Sequence, residues 1–236
     1  MNGAKVVLRR GGRDEAEKPF WISFADLMTA LMVLFLIVMG VALLAVTKNV
    51  TEREEKEKKH RTDIQLIMDR FIEAAKRYDG INVDRERGVI DFGQRARFAF
   101  GRWDLTVEQE GTLRKFVPEM LAMADDELGK RVLKRFVVEG YTDKIGTYLS
   151  NLNLSLQRSQ RVLCAMFASA GPSLLSDVQK ENVRSLFLVG GYSFNAGKET
   201  DEQSRRVEMR IEFLGLDEQR PPAPMQSSQF GDCALR

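Results

Sequence analysis

The sequence predicts an α/β protein: a single N-terminal membrane-spanning helix, then an α/β sandwich with one helical layer on a mixed sheet. Three observations predict it. Residues 20–46 are apolar apart from Asp26 and a few small or hydroxylated side chains. Residues 47–63 carry almost no apolar side chain. Beyond residue 80, short β-prone runs alternate with helical stretches, the pattern of two packed layers.

The expected domains are a leading tail over 1–19, a transmembrane helix over 20–46, a helical stalk over 47–80, the α/β domain over 81–215 and an irregular tail over 216–236. At about 1.5 Å per residue the apolar helix spans about 40 Å, against a hydrocarbon core of roughly 30 Å. A cleaved signal peptide is the competing reading, but it would have a shorter apolar core ending in a small-residue cleavage site. Lys5, Arg9, Arg10, Arg13 and Lys18 precede the helix, while Lys48, Arg53, Lys56, Lys58, Lys59 and Arg61 follow it. The positive-inside count is therefore nearly balanced, and the short leading tail favours a cytoplasmic N-terminus.

Asp26 admits two readings. Residues 27–46 alone suffice to span a bilayer, which would leave Asp26 as a solvated carboxylate at the interface. Alternatively Trp21 anchors at the interface, with Phe20, Ile22 and Phe24 beside it, and Asp26 lies about 7 Å deeper. A carboxyl at that depth is costly when charged and suits a proton-exchanging role. Thr29, Ala30 and Val33 continue its face at helical spacing.

In the stalk, Glu52 precedes Lys56, Glu54 precedes Lys58, Glu55 precedes Lys59 and Glu57 precedes Arg61, the favoured i,i+4 order. Ile64, Ile67, Met68, Phe71, Ile72 and Ala75 then form an apolar helical stripe for the domain or for a twin helix. Residues 81–84 and 89–92 flank a polar turn ending in Gly88, a hairpin signal. Thr106 and Gln109 form a capping box opening a helix over 106–123. A strand over 136–139, a long helix over 149–170, and strands over 186–189 and 207–213 complete the domain, and three prolines mark the tail.

The chain's net charge of +2, from 36 basic and 34 acidic residues, gives no global field to attract nucleic acid, which is not an expected partner. His60, Cys164 and Cys233 lack metal-ligand spacing, so neither a metal nor a cofactor is expected. The candidate site lies where Gly140, Tyr141, Thr142 and Asp143 leave a strand and turn through Gly146 into a helix. There Asn151, Leu154, Ser155 and Arg158 fall at i, i+3, i+4 and i+7 on one face. Asp143 and Arg158 could hold a zwitterion at both poles, since a guanidinium fork donates two parallel bonds to a carboxylate. The alternative is an internal Asp143–Arg158 ion pair that binds nothing. Paired groups of this kind suit binding, and no nucleophile–base set points to an enzyme.

These residues, with Arg205, Arg206 and Val207, resemble the signature of the OmpA-like family of peptidoglycan-binding domains. The resemblance implies that Asp143 and Arg158 grip the diaminopimelate of the peptidoglycan stem peptide, with support from Thr142, Asn151, Leu154 and Arg206. Ser204 stands where that family usually has Asn, which bears on the Arg205–Arg206 contact. The helix start, from Pro19 through Trp21, Asp26 and Met28 to Ala30, resembles the flagellar stator family of MotB. Glu17 to Ser23, Leu152 to Ser159 and Gly190 to Asn195 bring the chain closer to the ZorB family of Zorya anti-phage defence systems. That likeness implies an inner-membrane homodimer inside a ring of polytopic A subunits, five around two copies. It further implies a periplasmic domain and ion flow past Asp26, of protons or alternatively Na+, that drives rotation. A flagellar stator, or a passive wall anchor with no need of Asp26, are the alternatives. In an oxidising periplasm Cys164 and Cys233 could pair and pin the tail to the long helix; a buried free Cys164 or an intermolecular bridge are the other outcomes.

Overall fold

The structure, a computed structural model, describes residues 18–222 and 229–235; most of the leading tail and part of the C-terminal tail lie outside the described residues. The chain divides into two compact units, the first ending at Lys56 and the second beginning at Glu57. Helix α1, Lys18–Ala75, contributes to both. In the first unit its apolar side chains are uncovered, Trp21 65%, Ile22 70% and Leu44 73% exposed. This helix is long and apolar enough to cross a membrane. Such a surface is stable only when lipid or another chain covers it. The expected pairing of Glu52 with Lys56 gives way to a contact in the opposite direction, Lys48 to Glu52 at 3.9 Å.

The second unit is one core on a five-stranded sheet. Its elements are β1 (Asn82–Asp84), β2 (Val89–Asp91), α2 (Val107–Asp125), α3 (Glu127–Val132), β3 (Leu133–Gly140), α4 (Tyr148–Phe167), α5 (Asp177–Leu186), β4 (Phe187–Gly191), α6 (Asp201–Ser204) and β5 (Val207–Phe213). The strand order is β1-β2-β5-β3-β4; β3 and β4 run parallel and the other pairs antiparallel, so the sheet is mixed as expected. Period-two alternation sends Phe136 and Val138 of β3, and Val207, Met209 and Ile211 of β5, into the core.

Ile67, Met68, Phe71, Ala74 and Ala75 enter the same core, so the apolar stripe of α1 packs on the domain and not on a twin helix. The domain's core thus begins before residue 81, within the stretch expected to be stalk. Thr106 and Gln109 form the expected capping box at the start of α2. The long helix ends at Phe167, three residues early, because Ala168 leaves the helical region. Three short α-helices, α3, α5 and α6, and a 3-10 helix over Gly93–Ala96 are absent from the sequence reading. α5 carries its own capping box, Ser176 with Gln179, but only Val183 and Leu186 of it are buried, too few to show a helical period.

The opposite face of the sheet carries charge. Register places Glu139 directly across from Glu208, a repulsive arrangement for two fully buried carboxylates. Each has its own cations: Arg210 Nε donates to Glu139 at 2.6 Å, while Arg206 Nε (2.8 Å) and Arg87 Nη2 (2.7 Å) donate to Glu208, with Lys198 Nζ at 3.2 Å. Burial alone would raise the Glu208 carboxyl, but hydrogen bonds and charge from Arg206, Arg87 and Lys198 pull it from 4.5 to about 2. A carboxyl lowered on folding stabilises the fold above its unfolded value, and that contribution is lost as pH falls from about 4.5 through about 2. The contribution is on the order of 3 kcal/mol. Glu208→Gln is therefore expected to lower the urea midpoint of the full chain at pH 7 and to flatten its decline between pH 5 and pH 3. An unchanged pH slope in the variant would remove Glu208 as the cause.

Candidate functional site

The site is built where β3 ends. A Cβ at Gly140 would lie 1.9 Å from the Ser155 carbonyl oxygen, so only glycine lets α4 approach the strand this closely. Beyond it the chain is pinned from both sides, Tyr141 N–H donating to the Arg206 carbonyl and Thr142 N–H to the Ser193 carbonyl, each at 2.9 Å. These bonds fix the backbone that presents Asp143.

Asp143 is only 4% exposed. Its Oδ1 accepts from the Ile145 N–H at 3.1 Å and its Oδ2 from Arg205 Nη1 at 3.0 Å. Asn151 Nδ2 donates to the Ile145 carbonyl at 3.0 Å, so Asp143 and Asn151 together clamp the turn that leads into α4. The turn passes through Gly146 at φ +106°, and Thr147 caps the helix. Leu154 is half-buried, and Thr142 is buried with a hydroxyl that lacks a hydrogen-bond partner. Buried hydroxyls are ordinarily satisfied, so this one marks a place where a ligand group or water completes the bonding.

Arg158 departs from expectation. It is fully buried, and its guanidinium donates to three backbone carbonyls: Nε to Arg102 at 2.9 Å, Nη1 to Tyr141 at 2.7 Å and Nη2 to Ala99 at 3.3 Å. The Phe98 ring lies 5.1 Å from the guanidinium carbon. Burial pushes the Arg158 guanidinium down to about 10; the Asp143 charge opposes this and the Arg205 charge adds to it. In this structure Arg158 presents no open pole and makes no hydrogen bond to Asp143. It ties the 99–102 segment to the end of β3, because the face of α4 bearing Asn151, Ser155 and Arg158 turns inward.

Arg206, expected to support the ligand, is also consumed internally. It bonds to Glu208 and the Ala196 carbonyl and stacks 4.2 Å over the Tyr141 ring. Its neighbour Arg205, which the sequence reading did not single out as a site residue, takes Asp143 and also donates through Nε to the Phe98 carbonyl at 3.2 Å. Two adjacent arginines at a strand start face opposite sides, and only the register decides which reaches the site. Ser204 is buried, its hydroxyl accepting from the Lys198 N–H and donating to the Thr200 carbonyl, so it closes a turn.

Asp26 lies in the other unit. It heads a shallow groove along α1 with Thr29, Ala30, Val33, Leu34 and Ile37, the face expected for it. The Thr29 hydroxyl donates back to the Ala25 and Asp26 carbonyls, both at 2.9 Å, so its polarity is satisfied within the helix. Cys164 and Cys233 are joined, Cα atoms 5.4 Å apart, and the Phe167 and Phe230 rings meet at 5.0 Å beside them. Among the described residues no group of three or more His, Cys, Asp or Glu side chains is placed to hold a metal.

No protein-family model matches the chain. Over 226 residues it is 43% identical to the Zorya protein ZorB of Escherichia coli O139:H28 (strain E24377A / ETEC), covering 94% of this chain and 92% of that protein. Among solved structures, the periplasmic domain of Helicobacter pylori MotB aligns at 14% identity and a TM-score of 0.39, over 55% of this chain and 78% of that one. The cell wall anchor of the T6SS from Pseudomonas aeruginosa aligns at 20% identity and a TM-score of 0.37, over 61% and 94%. The family rests on the first of these relationships, which spans nearly the whole of both chains: this protein belongs to the ZorB family of Zorya proteins.

Proposed function

We propose that the chain is the wall-anchored, single-pass inner-membrane subunit of an ion-driven motor of the stator type, acting in anti-phage defence. In this reading the N-terminus is cytoplasmic and the second unit periplasmic, where Asp143 takes the ammonium group of a diaminopimelate in the peptidoglycan stem peptide. Two copies share a ring of polytopic A subunits, and ions pass Asp26. The observation that carries the wall-binding half is the end of β3. A nearly buried carboxylate sits there with one backbone N–H and one guanidinium, next to a buried hydroxyl without a partner.

The test is recovery of the full-length chain with sacculi after cross-linking in living cells, which requires both a periplasmic domain and wall binding. Asp143→Ala should reduce recovery about tenfold or more, the scale of a lost charge-assisted contact of about 1.5–3 kcal/mol. Wild-type recovery no greater than that of a cytoplasmic control, or equal recovery of both chains, would defeat the reading.

A further inference from the structure

The C-terminal tail is fastened to the second unit at two places, by two kinds of bond. At its root the Arg220 guanidinium donates to three carbonyls, Nε to Leu133 at 3.0 Å and Nη2 to Ala124 at 3.0 Å and Gly129 at 3.1 Å. At its end Cys233 is bridged to Cys164 of α4, with the half-buried Phe230 ring against Phe167. Among the described residues no hydrogen bond or ion pair ties 229–235 to the rest of the chain, so this end depends on the bridge and on apolar contact. A cavity of about 640 Å³ lies beside it, lined by Leu163, Phe167 and Phe230 and by the cations Arg114 and Arg161.

Two features open the bridge to thiol chemistry. Cys233 is exposed and Cys164 half-buried, so an attacking thiolate meets the Cys233 sulfur and the Cys164 sulfur is the one that departs. Arg161 stands one turn before Cys164 on α4 and lines the same cavity; its Nη2 holds Glu110 at 2.8 Å, while its Nε is buried without a partner. A guanidinium there stabilises a departing thiolate. We propose that Cys164–Cys233 is a dithiol-opened latch, with Arg161 as the positioned cation that speeds its release, and that opening it frees the end of the tail and uncovers the Phe167 strip of α4. The inference stands apart from the wall site. In the reaction a dithiol's thiolate attacks Cys233 Sγ, and Cys164 leaves as a thiolate and takes up a proton. The dithiol's second thiolate then attacks its own sulfur in the mixed disulfide and releases Cys233, which is protonated in turn. The bridge gains two electrons and two protons, and the dithiol becomes a disulfide. Arg220 keeps the root of the tail in place throughout, so the tail swings away and the core stays folded.

The experiment treats the full-length detergent-solubilised chain with dithiothreitol, without denaturant, and follows thiol release by alkylation. Chymotrypsin cleavage after Phe230 is read in parallel, as loss of residues 231–236 by mass after quenching and full reduction. The bridge should open while the urea transition stays cooperative, and cleavage after Phe230 should then be at least about tenfold faster than in the oxidised chain. The double variant Cys164→Ser with Cys233→Ser should be cleaved at the fast rate without reductant. Arg161→Gln should slow reduction by roughly threefold to tenfold, and Arg161→Lys should restore most of the rate because it keeps the charge. A bridge that opens only in denaturant, a Phe230 bond equally protected after reduction or in the double variant, or an Arg161→Gln chain reduced as fast as wild type would overturn the latch.

Discussion

Arg158→Ala is expected to destabilise the folded domain by about 3 kcal/mol, a larger effect than a change at any exposed charge. Two carbonyls, those of Tyr141 and Arg102, would lose this donor, while that of Ala99 keeps the Arg102 N–H at 3.1 Å. Each buried acceptor left without a partner costs about 1–3 kcal/mol, and the vacated volume adds a cavity. One effect acts the other way. Removing the cation relieves the desolvation that pushes its guanidinium down to about 10, which offsets part of the loss. The net stays destabilising because the Tyr141 carbonyl is buried and the tie between the 99–102 segment and the end of β3 is lost. Urea denaturation of the full-length chain in detergent, followed by tryptophan fluorescence, would measure it; Trp103 adjoins that segment and Trp21 lies in the apolar helix. A midpoint within experimental error of wild type would refute the structural role and return Arg158 to the ligand. Asp143→Ala, which deletes an acceptor and not a donor set, should be the milder variant and retain a cooperative transition.

How far the sequence revealed this architecture depends on whether the signal was local. Thr106 and Gln109 disclosed a helix start because a capping box lies within four residues, and β5 was read to the residue because its apolar and charged side chains alternate. The apolar segment of α1 was equally plain. What stayed hidden required knowledge of neighbours. Arg158 falls on one face with Asn151 and Ser155, and the spacing shows that they share a face without showing that the face is turned inward. Gly140 settles that, since a Cβ there would lie 1.9 Å from the Ser155 carbonyl oxygen, and such a close approach is not visible in a sequence. That Arg205 and not Arg206 bonds to Asp143 has the same origin: the two adjacent residues point to opposite sides. Cys164 and Cys233 were one pairing among three open outcomes, because a separation of 69 residues says nothing of distance in space.

Asp26→Asn is expected to abolish phage protection while leaving the chain able to assemble with its A subunit and to bind the wall. From the sequence, an interfacial carboxylate and an ion carrier were equally compatible with the apolar run. The structure continues α1 unbroken from Lys18 through Asp26, with Trp21, Ile22 and Phe24 helical and exposed on its N-terminal side. Apolar surface therefore flanks Asp26 in both directions, and a tryptophan anchored at the interface would carry it about 7 Å deeper. At such depth an ionised side chain is costly unless it faces a partner or a water-filled path. The groove that it heads offers apolar neighbours and a Thr29 hydroxyl already bonded within the helix, so compensation has to come from outside the helix. Each charge crossing the membrane yields roughly 2.3 kcal/mol per 100 mV, enough to bias a motor step. Asparagine keeps the size and hydrogen-bonding reach of the side chain but cannot alternate between charged and neutral forms. Plating efficiency of phage on cells carrying the variant should match cells without the system, while co-purification of the A subunit and sacculus recovery stay at wild-type levels. Asp26→Glu, which keeps an ionisable carboxyl one methylene further out, should protect partially. Full protection by Asp26→Asn would mean that no ion depends on this residue, and the chain would then be a passive anchor.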